Sequence, residues 1–212
     1  MTEVRPAILP ASHPDTLAAA MSALQAGGIV GLPTDTVYGI GVVPQPAALE
    51  ALIRAKRRPD EKGIALLIDG LDQIDMLVEL SRMARRLAQH LWPGALTLVL
   101  PLRRPELVAT ALTGGRVTLG LRIPDHPLPR ALARALGPIA VTSANRGGEP
   151  PAQTAAALAA SVGHSLALVI DDGPARGGTA STVVAVSRDD RWRILRTGAI
   201  DEAAIASAAE GD

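Results

Sequence analysis

The sequence predicts an α/β fold, and three observations carry the prediction. Apolar runs of four to eight residues, rich in Val, Ile and Leu and bounded by Pro or Gly, recur along the chain; these are buried-strand patterns. Segments with helical apolar spacing and helix start or stop residues lie between them. Strand and helix patterns alternate to the end, as α/β proteins require. No Ser/Gly-rich or charge-rich linker divides the 212 residues. The expectation is therefore one domain over 1–212, with its core at about 12–200 and a short helical tail.

Each element has a local reason. Ser12 with Asp15 three positions on forms a capping-box pattern before a helix through Leu17 and Leu24, which Gly27-Gly28 ends. Strands are expected at 29–32 and 36–42. Pro46 starts a helix with Leu49, Leu52 and Ile53 on one face, running out near Pro59. Residues 63–68 form a strand, 72–80 and 81–90 two short helices, and 95–101 a strand after Trp92-Pro93-Gly94. The polar stretch 103–115 is irregular. A strand at 116–123 stops at Pro124, a helix covers 128–136 and a strand 138–142. A Gly-rich loop, 145–151, leads into an Ala-rich helix. Strands at 166–170, 181–187 and 191–196 and a helix from 201 complete the chain.

Composition excludes several classes. Twenty-one basic and twenty-one acidic residues give zero net charge, which does not mark a nucleic-acid binder. Two Trp, one Tyr and no Phe leave few rings for a base-stacking platform. The absence of Cys removes disulfides, thiol nucleophiles and thiolate metal sites. His13, His90, His126 and His164 show no ligand spacing, so no metal site is expected. The P-loop, the dinucleotide fingerprint and the nucleophile elbow are all missing. Without a signal-peptide pattern or an apolar run near 18 residues, a cytoplasmic protein with no membrane segment is expected.

Polar residues at strand ends are the candidates for chemistry, because ligands of open α/β sheets bind there. Thr34-Asp35-Thr36 lies between the first two apolar runs; a polar turn is the competing explanation. Arg54, Lys56, Arg57, Arg58 and Lys62 cluster around a helix stop. They fit either a solvated helix end or a polyphosphate site. Ser143 and Asn145 follow a strand directly, where they suit an anion or an Asx/Ser turn. Arg122, near the end of an apolar strand, calls for an anionic partner, either a ligand or a carboxylate such as Asp125. Arg196 ends another strand and Ser181 opens one.

In this order the segments PTDTVYGIG (33–41), KRRPDEKGIALLI (56–68), WPGALTLVLP (92–101), LGLRIPDHP (119–127), VTSANRGGEPP (141–151), STVV (181–184) and LRTG (195–198) resemble the YrdC-type threonylcarbamoyl-adenylate synthase family. The KRRP-DEKG form is similar to its short bacterial branch, without the longer branch's extra C-terminal domain. The longer branch often has His at the position of Leu67, so no threonine contact is transferred there. The resemblance implies a three-layer fold, a twisted mixed sheet flanked by helices and a deep basic cavity. It implies synthesis of threonylcarbamoyl-AMP and diphosphate from L-threonine, bicarbonate and ATP, with Mg2+ carried on ATP. The product would serve N6-threonylcarbamoylation of tRNA adenosine 37 through a separate transferase complex.

By the same resemblance, Lys56 and Arg58 are catalytic and neutralise the phosphates or the carbamate. Arg58, Lys62, Thr118, Ser143, Asn145, Pro151 and Arg196 bind ATP. Thr36, Arg122, Val141 and Ser181 bind threonine, with Arg122 on its carboxylate. The competing assignments are a double-stranded RNA or tRNA-binding module and a carbamoyl-adenylate-forming relative; weak RNA binding is a further partner expectation.

Overall fold

The computed structural model describes residues 6–56, 63–144 and 150–211. One mixed sheet of ten strands runs through them. In chain order the strands are β1 (Ala7–Pro10), β2 (Val30–Leu32), β3 (Gly39–Val42), β4 (Ala65–Leu67), β5 (Leu96–Pro101), β6 (Thr118–Arg122), β7 (Ile139–Ser143), β8 (Leu168–Asp171), β9 (Thr182–Val186) and β10 (Trp192–Arg196). Their spatial order is β1-β8-β2-β3-β7-β4-β6-β5-β9-β10. The helices are α1 (Thr16–Gln25), α2 (Pro46–Lys56), α3 (Arg82–Leu91), α4 (Thr110–Thr113), α5 (Pro127–Leu136), α6 (Ala155–Val162) and α7 (Glu202–Glu210). No described helix is long and apolar enough to cross a membrane.

Alternation along the strands sorts side chains to two faces. Ile40, Leu66, Leu98, Leu121 and Val184 pack with α2, α3, α6 and α7 in the larger core. On the other face Ala20 and Leu24 of α1 and Leu132 of α5 cover Val30, Ile139 and Leu168. That second layer stops short of β5, β9 and β10, leaving their face open. Each fully buried Leu or Ile contributes about 1.5–3 kcal/mol of transfer free energy, so the covered face holds the fold and the open face is available for a site.

Most expected elements form within a few residues of their expected ends. The stop of α1 follows the expected chemistry: Gly27 takes φ +80°, and the Gly27 and Gly28 amides donate to Leu24 and Ala23 carbonyls. The start differs. Asp15, not Ser12, occupies the cap position and makes no side-chain capping bond. Thr16 Oγ1 donates instead to the Pro10 carbonyl at 2.7 Å. The expected strand 36–42 begins only at Gly39. The Thr34 hydroxyl accepts the Thr36 and Val37 amides and donates to the Val37 carbonyl at 2.6 Å. These local bonds compete with ladder pairing.

The expected helix 72–80 is a correction. Only a 3-10 turn, Leu71–Gln73, forms there. Ile74 and Val78 are both buried and mimic helical spacing, but Val78 forms a bridge to Leu102 instead. The 103–115 stretch holds α4, and the N-terminal segment supplies β1, a largely exposed edge strand paired parallel with β8 that period-two hydrophobicity does not reveal.

Candidate functional site

The open face forms the floor of a cavity of about 760 Å³. Strand register lays its residues in rungs across the sheet. One rung runs Val141, Ala65, Gly120, Val99, Ala185, Arg193. The next runs Leu67, Arg122, Thr97, Val183, Arg196. The first rung carries small or thin side chains across its middle, which makes the floor deep. Leu112 and Thr113 of α4 form part of one wall, and Ser143 at the end of β7 part of another.

The cavity is polar and cationic. Four arginines line it, Arg116, Arg122, Arg193 and Arg196, and no Asp or Glu is among the described lining residues. Arg122 is buried and held on three sides. Its Nε donates to the Gly94 carbonyl at 2.9 Å, one terminal nitrogen to Thr36 Oγ1 at 2.9 Å and the other to Asp35 Oδ1 at 2.7 Å. The anionic partner foreseen for it is thus Asp35 and not Asp125. Burial pushes the Arg122 pKa down, and Asp35 opposes that shift. A guanidinium so placed stays charged at neutral pH. The turn at Trp92-Pro93-Gly94, locked by Trp92 Nε1 on the Leu96 carbonyl at 2.7 Å, presents the Gly94 oxygen.

A second group surrounds Ser181. Its Oγ hydrogen-bonds Thr97 Oγ1 at 2.8 Å, and its carbonyl accepts from Arg196 at 2.7 Å. Burial lowers the Arg196 pKa as well. Gly198 packs so closely on the Ala180 and Ser181 main chain that a Cβ would overlap it. Across the floor, Lys56 emerges from the C-terminal end of α2 and is buried. Its Nζ donates to the Ser143 carbonyl at 2.5 Å and to Ser143 Oγ at 2.8 Å.

Thr36, Thr118, Arg122, Val141, Ser143, Ser181 and Arg196, all foreseen from sequence, line this one cavity, and Lys56 reaches its wall through Ser143. Pro151 is described but is not among the lining residues. Arg58, Lys62 and Asn145 lie outside the described residues. Sequence reasoning missed Thr97, Arg116 and Arg193 and the Asp35 pairing. Thr97 sits in an apolar strand with nothing to mark it. Arg193 and Arg196, three apart, share a face only because Leu195 is an extra residue in the β9–β10 ladder.

The geometry defines an α/β protein with a cationic cavity on an open sheet face. Comparison with known proteins sharpens that class. A family model, Sua5_yciO_yrdC, with the description "Telomere recombination", matches residues 22–198. The chain belongs to the Sua5/YciO/YrdC family. The threonylcarbamoyl-AMP synthase of Idiomarina loihiensis is 40% identical over 79% of this chain and 90% of its own length. The threonylcarbamoyl-AMP synthase of Bacillus subtilis is 36% identical over 87% of this chain, which spans 54% of that longer protein. P. abyssi Sua5 complexed with L-threonine superposes with a TM-score of 0.89 at 30% identity, covering 97% of this chain and 61% of that one.

Proposed function

We propose that the protein is an L-threonylcarbamoyladenylate synthase. The observation that carries the proposal is a cavity whose described lining residues include four arginines and no carboxylate, with Arg122 fixed at its floor by Asp35, in a chain whose relatives bear that name. Bicarbonate takes up a proton and loses water to give CO2; the free threonine amine attacks the CO2 carbon, and the proton released as the carbamate forms balances the one taken up. A carbamate oxygen then attacks the α-phosphorus of ATP. The bond from that phosphorus to the bridging oxygen breaks, and pyrophosphate departs with the electron pair. The carbamate and the ATP that meet in the second step are both anions, so neutralisation and alignment dominate there over acid–base steps.

In this reading Arg122 takes the threonine carboxylate, while Thr36, Val141 and Ser181 complete the amino-acid pocket. Thr118, Ser143, Pro151 and Arg196 bind the nucleotide, and Lys56 neutralises phosphate or carbamate charge; Arg58, Lys62 and Asn145 join them by family resemblance. Mg2+ would arrive on the ATP phosphates, since the described lining offers hydroxyl oxygens but no carboxylate to hold it. The product passes to a tRNA-threonylcarbamoylating transferase complex in the cytoplasm.

Pyrophosphate release from ATP, followed with and without L-threonine and bicarbonate and with mass detection of the adenylate, tests the proposal. Release that needs both co-substrates is expected. Release indifferent to threonine, or salt-sensitive RNA binding without turnover, would overturn it.

A further inference from the structure

The β9–β10 hairpin and its turn carry four arginines, and the structure treats them in two ways. Arg188 pairs with Glu79 at 2.7 Å and Arg191 with Asp189 at 2.6 Å. The remaining hairpin carboxylate, Asp190, accepts the Met83 amide at 2.8 Å and faces Arg82. The carboxylates near this hairpin are therefore already engaged. Arg196 lies against Ser181. Arg193 is exposed, lines the cavity, and has no hydrogen-bond or ion-pair partner among the described residues.

Its position is set by the ladder. Arg193 stands opposite Ala185, at the end of the rung whose middle is Val99 and Gly120. The short side chains there leave its guanidinium an open lane over the floor. Arg196 stands opposite Val183 on the neighbouring rung, brought to the same face by the extra Leu195. Two Cα atoms so placed are about 7 Å apart along the strand direction. Two guanidinium arms from that separation can grip a compact anion of two phosphoryl groups from both ends, and Arg favours bidentate contact with phosphate oxygens.

We propose that Arg193 forms, with Arg196, an outer subsite for the β- and γ-phosphates of ATP and for the pyrophosphate they become. The assignment rests on the synthase reading for its substrate, but it makes its own claim, namely that this cation grips the diphosphate end and not the AMP end. Arg193 thus contributes to ATP affinity and to the retention of pyrophosphate after the α-phosphorus bond breaks.

Calorimetric titration of the full chain with inorganic pyrophosphate and, separately, with AMP tests it on the wild type, Arg193→Ala and Arg193→Lys. Arg193→Ala should weaken pyrophosphate binding about fivefold, the upper end for an exposed charge contact. AMP affinity should stay unchanged, and Arg193→Lys should recover part of the loss. Unchanged pyrophosphate affinity in Arg193→Ala, or an equal loss for AMP, overturns the assignment. Turnover by the wild type is a separate readout. A wild type that makes adenylate with an Arg193→Ala variant that binds pyrophosphate normally sinks the subsite alone. A wild type that makes no adenylate sinks the synthase reading, whatever the titration gives.

Discussion

Arg122 and Asp35 form the charged pair on which the proposed threonine end of the cavity depends. Their side chains are only 7% and 14% exposed, so each is costly to leave alone. Asp35→Asn should lower unfolding stability by about 3 kcal/mol, because a buried guanidinium loses its counter-charge. Combining it with Arg122→Gln should cost less than the sum of the single changes by at least about 1 kcal/mol. Additive losses in denaturant melts would show that the two charges are not coupled. Lys56 makes a different case. Its ammonium is buried against Ser143 and supplies charge where phosphate or carbamate oxygens would come. Lys56→Ala should reduce threonine-dependent pyrophosphate release by about 100-fold or more while the far-ultraviolet spectrum is unchanged. Near-wild-type release would remove Lys56 from the mechanism.

Strands explain both what the site is and what could be foreseen of it. Residues at strand ends with unusual chemistry for their surroundings, such as Arg122, Ser143 and Ser181, were legible because polar groups are rare in apolar runs. Thr97 was not legible, since a β-branched Thr is ordinary in a strand. Nor was Arg193, because an inserted Leu195 alters the period-two alternation and only pairing reveals the shift. Helix 72–80 failed for a related reason: burial of Ile74 and Val78 matches two geometries, and contact with Leu102 chooses between them. The strand floor also yields a test. A Cβ at Gly120 would come no nearer than 3.4 Å, to the Ala65 Cβ, so the backbone has room, but the methyls of Val would occupy the cavity. Gly120→Val should keep the melting temperature and raise the ATP KM about tenfold. An unchanged KM would mean the nucleotide does not cross this rung. Helix α5 gives a second. Asp69 receives Arg130 Nε at 2.7 Å and Arg134 Nε at 2.8 Å, fastening α5 beyond the end of β4. Desolvation opposes ionisation of Asp69, yet the two guanidinium groups outweigh it and hold its pKa below the usual carboxylate value. The folded state therefore binds this proton less tightly than the unfolded one. Its stabilisation is present above about pH 4 and is lost as pH falls through the lower folded value. Asp69→Asn should lose about 0.5 kcal/mol at pH 7 after solvent screening, with the gap closing below pH 3; a gap independent of pH would contradict the ion-pair account.

At the scale of the whole molecule, zero net charge conceals a strongly uneven distribution. Composition alone did not mark a nucleic-acid binder, whereas the fold gathers four arginines around one cavity with no Asp or Glu among its described lining residues, Asp35 reaching it only through Arg122. Carboxylates at Asp69, Glu79, Asp172, Asp189 and Asp190 are engaged by arginines outside the lining. This separation predicts a split response to salt. Exposed charges more than about 8–10 Å from their partners are screened at physiological ionic strength, and buried pairs far less. ATP, with its several charges, would meet exposed Arg193 and part-exposed Arg196, whereas the threonine carboxylate would meet buried Arg122. Raising salt from 0.05 to 0.5 M should therefore weaken ATP binding about tenfold and threonine binding about twofold or less. Substrate titrations at matched pH measure both. Equal weakening of the two would place threonine among the exposed arginines and contradict a carboxylate clamp at Arg122. Threonine binding more salt-sensitive than ATP binding would reverse the proposed arrangement of the cavity.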